Sequence, residues 1–139
     1  MNLASSGWGG YVRIPLGPLT LSGEVWTGSN LDDYLGGVAQ GIRVTDRVAT
    51  AVSSTGGWGE LALALGRNGV HVGFSIDDPD ATDLTLGGRD RNLAVWSNAM
   101  HSFGQGLSAG LEVSRWTTRY VGMAEGRSWR VQASVVFGF

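Results

Sequence analysis

The chain has 139 residues, of which 42% are apolar and only 16% charged, with a net charge of −2. A soluble domain carries about 25% charged residues, so the shortfall points to a surface that does not all face water, and without a basic stripe to neutralise phosphates nucleic acid is excluded as a partner. The absence of cysteine removes disulfide scaffolds, thiol catalysis and thiolate metal sites.

Glycine is abundant, at 23 residues, and proline scarce, at 3, a balance that suits many strands and turns. Taken in chain order, the alternation of apolar and polar residues predicts seven strands. Near the start Val12, Ile14 and Leu16 alternate with Tyr11 and Arg13. Residues 19–27 set Leu19, Leu21 and Val25 against Thr20, Ser22, Glu24 and Trp26. Residues 58–65 set Leu61, Leu63 and Leu65 against Glu60, Ala62 and Ala64. Residues 70–77 set Val70, Val72, Phe74 and Ile76 against His71, Gly73, Ser75 and Asp77. Residues 92–102 are less regular: Leu93, Val95 and Ala99 define one face, yet Trp96 and Met100 stand on the other. Residues 107–114 set Leu107, Ala109, Leu111 and Val113 against Ser108, Gly110, Glu112 and Ser114. The clearest segment is the last, where Trp129, Val131, Ala133, Val135, Phe137 and Phe139 alternate with Arg130, Gln132, Ser134, Val136 and Gly138. A period of two marks a strand, and eleven residues exceed the ~5–6 usual in soluble sheets while matching the ~9–11 of a tilted membrane strand.

Between these segments, short turns at Gly17-Pro18, at residues 66–69 and at residues 103–106 alternate with longer connections at residues 28–56, 78–90 and 119–126. Short turns at one end and long loops at the other are the arrangement of an outer-membrane barrel. No stretch reaches the ~20 apolar residues of a spanning helix. Trp8, Trp26, Trp58, Trp116, Tyr120 and Trp129 near strand ends fit rings that settle at a membrane interface. If the apolar face meets lipid, then Arg13, Glu24, Glu60, His71, Glu112, Arg130 and Gln132 line a lumen and bias which solutes pass. The alternative is a soluble antiparallel β-barrel or sandwich acting as a binding module, with the apolar face turned inward.

Other chemistry has weaker support. His71 and Ser75 share a face but lie ~13 Å apart along a strand, too far for a nucleophile and its base. The acidic run from Asp77 to Asp83 lacks the spacing, glycine and terminal glutamate of an EF-hand. Gly104-Gln105-Gly106 falls between two strands, the wrong context for dinucleotide binding. The reading is therefore non-enzymatic, with no catalytic residues, metal or cofactor.

The C-terminal run Gln132-Ala133-Ser134-Val135-Val136-Phe137-Gly138-Phe139 resembles the terminal signal of outer-membrane proteins: a polar residue, then glycine, then alternating hydrophobic residues ending in an aromatic. Ser134 stands where glycine is usual. The segments LSGEVWTGSNLDDYLGGVAQG (21–41), GGWGELAL (56–63), GFSIDDPD (73–80), RNLAVWSN (91–98) and GLEVSRWTTRY (110–120) are similar in style and order to Gram-negative porin-like barrels of the DcaP-like trimeric group. That resemblance covers most of residues 19–139. It implies an antiparallel up-and-down transmembrane β-barrel in the bacterial outer membrane, passing small hydrophilic solutes by diffusion. It also implies contact with outer-membrane lipid, recognition by the barrel-assembly machinery through Gln132, Phe137 and Phe139, and allows a homotrimer for the full-length protein. Such barrels are longer, have an even strand number and carry a signal peptide. MNLASSGWGG has no basic segment or apolar core, and seven is odd, so the expectation is a single barrel segment over residues 1–139 from the C-terminal part of a longer barrel.

Overall fold

A computed structural model describes residues 3–32 and 36–139. Residues 33–35, within the expected 28–56 connection, lie outside that description. Among the described residues there is no α-helix, and nine strands make up the fold: β1 (Ser6–Leu16), β2 (Leu19–Ser29), β3 (Ile42–Thr45), β4 (Val48–Ala51), β5 (Ser53–Leu65), β6 (Asn68–Pro79), β7 (Arg89–Gly104), β8 (Leu107–Tyr120) and β9 (Met123–Phe137). Seven of them form one antiparallel sheet in the order β1-β2-β5-β6-β7-β8-β9, and β3 and β4 pair separately as a small hairpin. Apart from that hairpin, each strand pairs with its neighbour in sequence, so the topology is up-and-down. The sheet does not close on itself: β1 and β9 each pair along one edge only.

The seven strands are 11 to 16 residues long, two to three times the usual length in soluble sheets. At one end the connections are minimal, Gly17-Pro18, Gly66-Arg67 and Gln105-Gly106. At the other, residues 30–52 and 80–88 are long, as expected. Residues 119–126 depart from the expectation of a loop. β8 runs to Tyr120, β9 starts at Met123, and Val121-Gly122 is a tight turn with Gly122 at φ +67. Polar residues such as Arg119, Glu125 and Arg127 read as loop in the sequence. The backbone pairing, Tyr120 opposite Met123 and Thr117 opposite Arg127, extends the hairpin through them.

Register carries each side chain's face across the sheet, because directly paired residues in an antiparallel ladder point the same way. Ile14, Leu21, Leu61, Val72, Ser97, Val113 and Val131 form one such row. Neighbouring rows on that face hold Leu63 with Val70, Phe74 with Val95, Ala99 with Leu111, Ala109 with Val135 and Leu107 with Phe137. The apolar residues thus form one continuous face, and it is uncovered: Leu111 is 62% exposed, Val131 73% and Val135 75%. Among the described residues only Leu31, Val52 and Ala94 are buried hydrophobics. The accessible surface is 9045 Å², whereas a folded soluble monomer of this mass has about 6,900 Å². Among the described residues the fold therefore has extensive backbone pairing without an apolar core.

Candidate functional site

The opposite face carries the charges. Arg13, Ser22, Glu60, Gly73, Trp96, Ser114 and Arg130 form one row across all seven strands. The next row toward the short turns holds Ala62, His71, Asn98, Glu112 and Gln132, and the next toward the loops holds Tyr11, Glu24, Trp58, Ser75, Ala94, Trp116 and Ser128. All seven residues expected to share a polar face, Arg13, Glu24, Glu60, His71, Glu112, Arg130 and Gln132, do so.

They assemble into two groups. On the β2–β6 side, His71 Nδ1 lies 3.0 Å from Glu60 Oε1, an ion pair whenever the imidazole is protonated, and Trp58 Nε1 donates to Glu24 at 3.2 Å. Across the sheet, Arg130 donates to Glu112 at 3.0 Å, with Gln132 opposite Glu112 in the β8–β9 register, and the Arg130 guanidinium lies 5.6 Å from the Trp116 ring centre. β7 separates the groups and places Trp96 between them. Arg13 makes no ion pair among the described residues. Each of the three expected glutamates thus has one side-chain partner on the same face.

The tryptophans divide between the two faces. Trp8 and Trp129 project from the apolar face and are each 70% exposed. Trp26, Trp58 and Trp116, by contrast, stand on the polar face with Trp96. The rings of Trp26 and Trp96 lie over Gly56 and Gly73 on adjacent strands, filling the space a Cβ would need. Aromatic cover of this kind shields a strand glycine that has no side chain of its own to pack. The irregular alternation of residues 92–102, with Trp96 opposite the apolar set, was the visible trace of it.

Asp77, which the sequence offered only as part of the polar alternation and of the acidic run, anchors the long connection. It stands on the polar face beside Gly56 and Asn92. Its carboxylate accepts from the backbone N–H of Val38 at 2.7 Å, of Gly37 at 3.2 Å and from Ser54 Oγ at 2.6 Å. Those bonds bring the β2–β5 connection back over the polar face. Gln40 reinforces the fold-back by donating to the Arg89 carbonyl at 2.7 Å and accepting from the Arg89 N–H at 2.9 Å, and Leu31 is buried over Gly7, Gly28 and Gly36. Val38 and Ala39 sit at φ 50 and 55, a region costly for a β-branched residue. The Asp77 carboxylate holds the Val38 amide there. Beneath the connection, a concavity of about 890 Å³ is lined by Glu24, Trp26, Trp58, Leu31 and Gly36 among others.

The rest of the acidic run is engaged within the chain. Asp78 takes two bonds from Arg91, Asp80 caps the short 3-10 turn Ala81–Asp83, and Asp83 accepts from the Ser53 N–H. Bonds from the Thr82 backbone and hydroxyl hold the Asp80 carboxyl below its ordinary range. Ser75 shares the polar face with His71, but His71 is turned to Glu60. At the C-terminus, Phe137 lies on the apolar face opposite Leu107, and the fully exposed Phe139 ring is 6.5 Å from it. No family model, curated protein or solved structure matches the chain.

Proposed function

We propose that this sheet is a section of the wall of an outer-membrane pore of the porin type, with its apolar face toward lipid and its polar face toward a water-filled lumen through which small hydrophilic solutes diffuse. The observation that carries the reading is the uncovered apolar face on strands of membrane-spanning length. Exposed apolar surface of this extent is a binding surface for something, and hydrocarbon is the partner that suits a whole sheet face. A soluble sandwich would lay a second apolar layer on that face. Among the described residues the long connection instead folds onto the polar one, through Asp77 and Gln40.

Glu24, Glu60, Glu112, His71, Arg13, Arg130 and Gln132 then line the lumen, where water and their mutual bonds stabilise them. The connection held by Asp77 narrows it. In hydrocarbon every unpaired backbone N–H or C=O costs several kcal/mol, so the reading requires further strands to pair with the free edges of β1 and β9. The terminal aromatic pair Phe137 and Phe139, with Gln132, supports recognition by the barrel-assembly machinery, and an assembly of three barrels is compatible with this arrangement.

The test uses the absence of native cysteine. In phosphocholine vesicles, in the closed assembly in which β1 and β9 are paired, single cysteines at successive positions from 109 to 115 should react alternately with a charged, membrane-impermeant thiol reagent. Glu112→Cys and Ser114→Cys should be modified, and Leu111→Cys and Val113→Cys protected. Uniform reactivity, or the reverse alternation, overturns the membrane facing, and unchanged solute flux after modification of Glu112→Cys overturns the pore.

A further inference from the structure

Four arginines lie on or beside the apolar face, all toward the loop end. Val95, Arg115 and Trp129 are register partners in one row, Leu93, Thr117 and Arg127 in the next, and Arg91 and Arg119 in the one after. The row below, toward the short turns, holds Val113 and Val131 and, apart from Ser97, is apolar. From Leu107 to Arg115 is eight residues, roughly 26 Å along the strand, or about 20 Å of height at a ~40° tilt. The apolar band of a membrane barrel is ~25 Å tall. Arg115 therefore sits near its upper boundary, where a long side chain reaches the headgroups while its stem stays among acyl chains.

Three of these arginines have carboxylate partners. Arg127 bonds Glu125 at 2.8 Å, Arg119 bonds Asp90 at 2.9 Å and approaches Asp78 at 3.8 Å, and Arg91 bonds Asp78 at 2.9 Å. Arg115 has none among the described residues. It lies instead 5.8 Å from the centre of the Trp129 ring. Four arginines face three carboxylates, and the one unmatched cation is the one nearest the apolar band. A groove of about 300 Å³ opens beside it, with Leu93 and Val95 contributing apolar lining, and Arg115, Thr117, Arg127 and Glu125 completing it.

We propose that this groove is a docking site for the phosphate headgroup of an anionic lipid, with Arg115 as its principal cation, Arg127 as the second donor, and Val95 and Val113 receiving the first part of an acyl chain. An arginine guanidinium matches phosphate geometry with paired N–H donors. Glu125 and Arg127 are adjacent on an exposed strand, and a surface pair of that kind contributes little, so Arg127 can exchange its carboxylate for a phosphate. The proposal rests on the apolar face meeting lipid.

The test reconstitutes the chain in phosphocholine bilayers containing a minor fraction of phosphatidic acid and follows quenching of tryptophan fluorescence. In one arm the phosphatidic acid is brominated, and in the other a matching fraction of the phosphocholine. The expected result is a preference for brominated phosphatidic acid of roughly fivefold, the factor one arginine near an anionic lipid surface supplies. It should be lost in Arg115→Gln/Arg127→Gln, retained in Arg13→Gln on the polar face, and undiminished by added inorganic phosphate. Equal quenching by both lipids in the unmodified chain overturns the headgroup site while leaving the membrane facing intact. Displacement by inorganic phosphate assigns the arginines to a soluble anion and overturns it as well. Quenching by neither lipid overturns the membrane facing and the site together.

Discussion

Replacing Leu111 with arginine separates the two environments that its exposed side chain could occupy. Leu111 is 62% exposed and lies on the apolar face between Ala99 and Ala133. It is four residues from Leu107 at the short-turn end and four from Arg115, so each boundary of the apolar band is about 10 Å away in height. In water, a substitution at so exposed a site changes stability by about 0.5 kcal/mol or less. At the middle of a bilayer, arginine on the lipid face of a barrel costs about 2–4 kcal/mol, which is about 30- to 700-fold in the folding equilibrium. Thr117→Arg is the control: same strand and same face, but above Arg115, where the cost falls to about 0–1 kcal/mol. Folding into phosphocholine vesicles, titrated with urea and followed by tryptophan fluorescence, measures both. Leu111→Arg should shift the midpoint strongly and Thr117→Arg barely. Equal shifts in the two variants would refute the depth argument, and no shift in either would refute the lipid-facing assignment.

Three further outcomes are expected. Asp77→Ala removes the carboxyl acceptor of the Gly37 and Val38 N–H groups and of Ser54 Oγ, a loss of about 2–4 kcal/mol to the fold-back of the connection. Limited proteolysis should then cut within residues 36–41 much faster, and unchanged protection would show that Gln40 and Leu31 suffice. The Asp80 carboxyl is held below the usual aspartate value of 3.8 by the Thr82 backbone bond and then its hydroxyl. A depressed folded-state value stabilises the turn above 3.8 and loses that contribution as pH falls through the lowered value. The Thr82 amide resonance should therefore titrate below 3.8, and a midpoint at or above it contradicts the cap. Finally, replacing Phe139 with aspartate should lower outer-membrane levels of the protein while synthesis continues. Normal levels in the membrane fraction would remove the assembly role from the terminal aromatic.

Much of this architecture was written locally. A strand's side chains alternate strictly, so Val131, Ala133, Val135 and Phe137 had to share one face, and Glu112, Arg130 and Gln132 the other, as soon as those segments were extended. Turn residues at Gly17-Pro18, Gly66-Arg67 and Gln105-Gly106 made the neighbours antiparallel. From these, the seven strands, their order and the common face of all seven charged or polar candidates were legible. What lay beyond the sequence depended on register and on contacts between distant segments. Only the pairing of Glu60 with Gly73 brings His71 diagonally within bonding distance of Glu60, and only the β8–β9 register sets Arg130 beside Glu112. The fold-back of the long connection joins Gly37, Val38 and Gln40 to Asp77 and Arg89, which lie some 40 to 50 residues further on, and no local periodicity encodes such a bond. Alternation already set Trp26 and Trp96 with the polar residues and Trp129 with the apolar ones, and the strands as paired add Trp8 to the apolar face and Trp58 and Trp116 to the charged one; what the rings cover was decided only by the tertiary structure. For the two among these whose rings cover an adjacent strand, the deciding neighbour is a glycine: Gly56 beneath Trp26 and Gly73 beneath Trp96, a vacancy that appears only once the strands lie side by side.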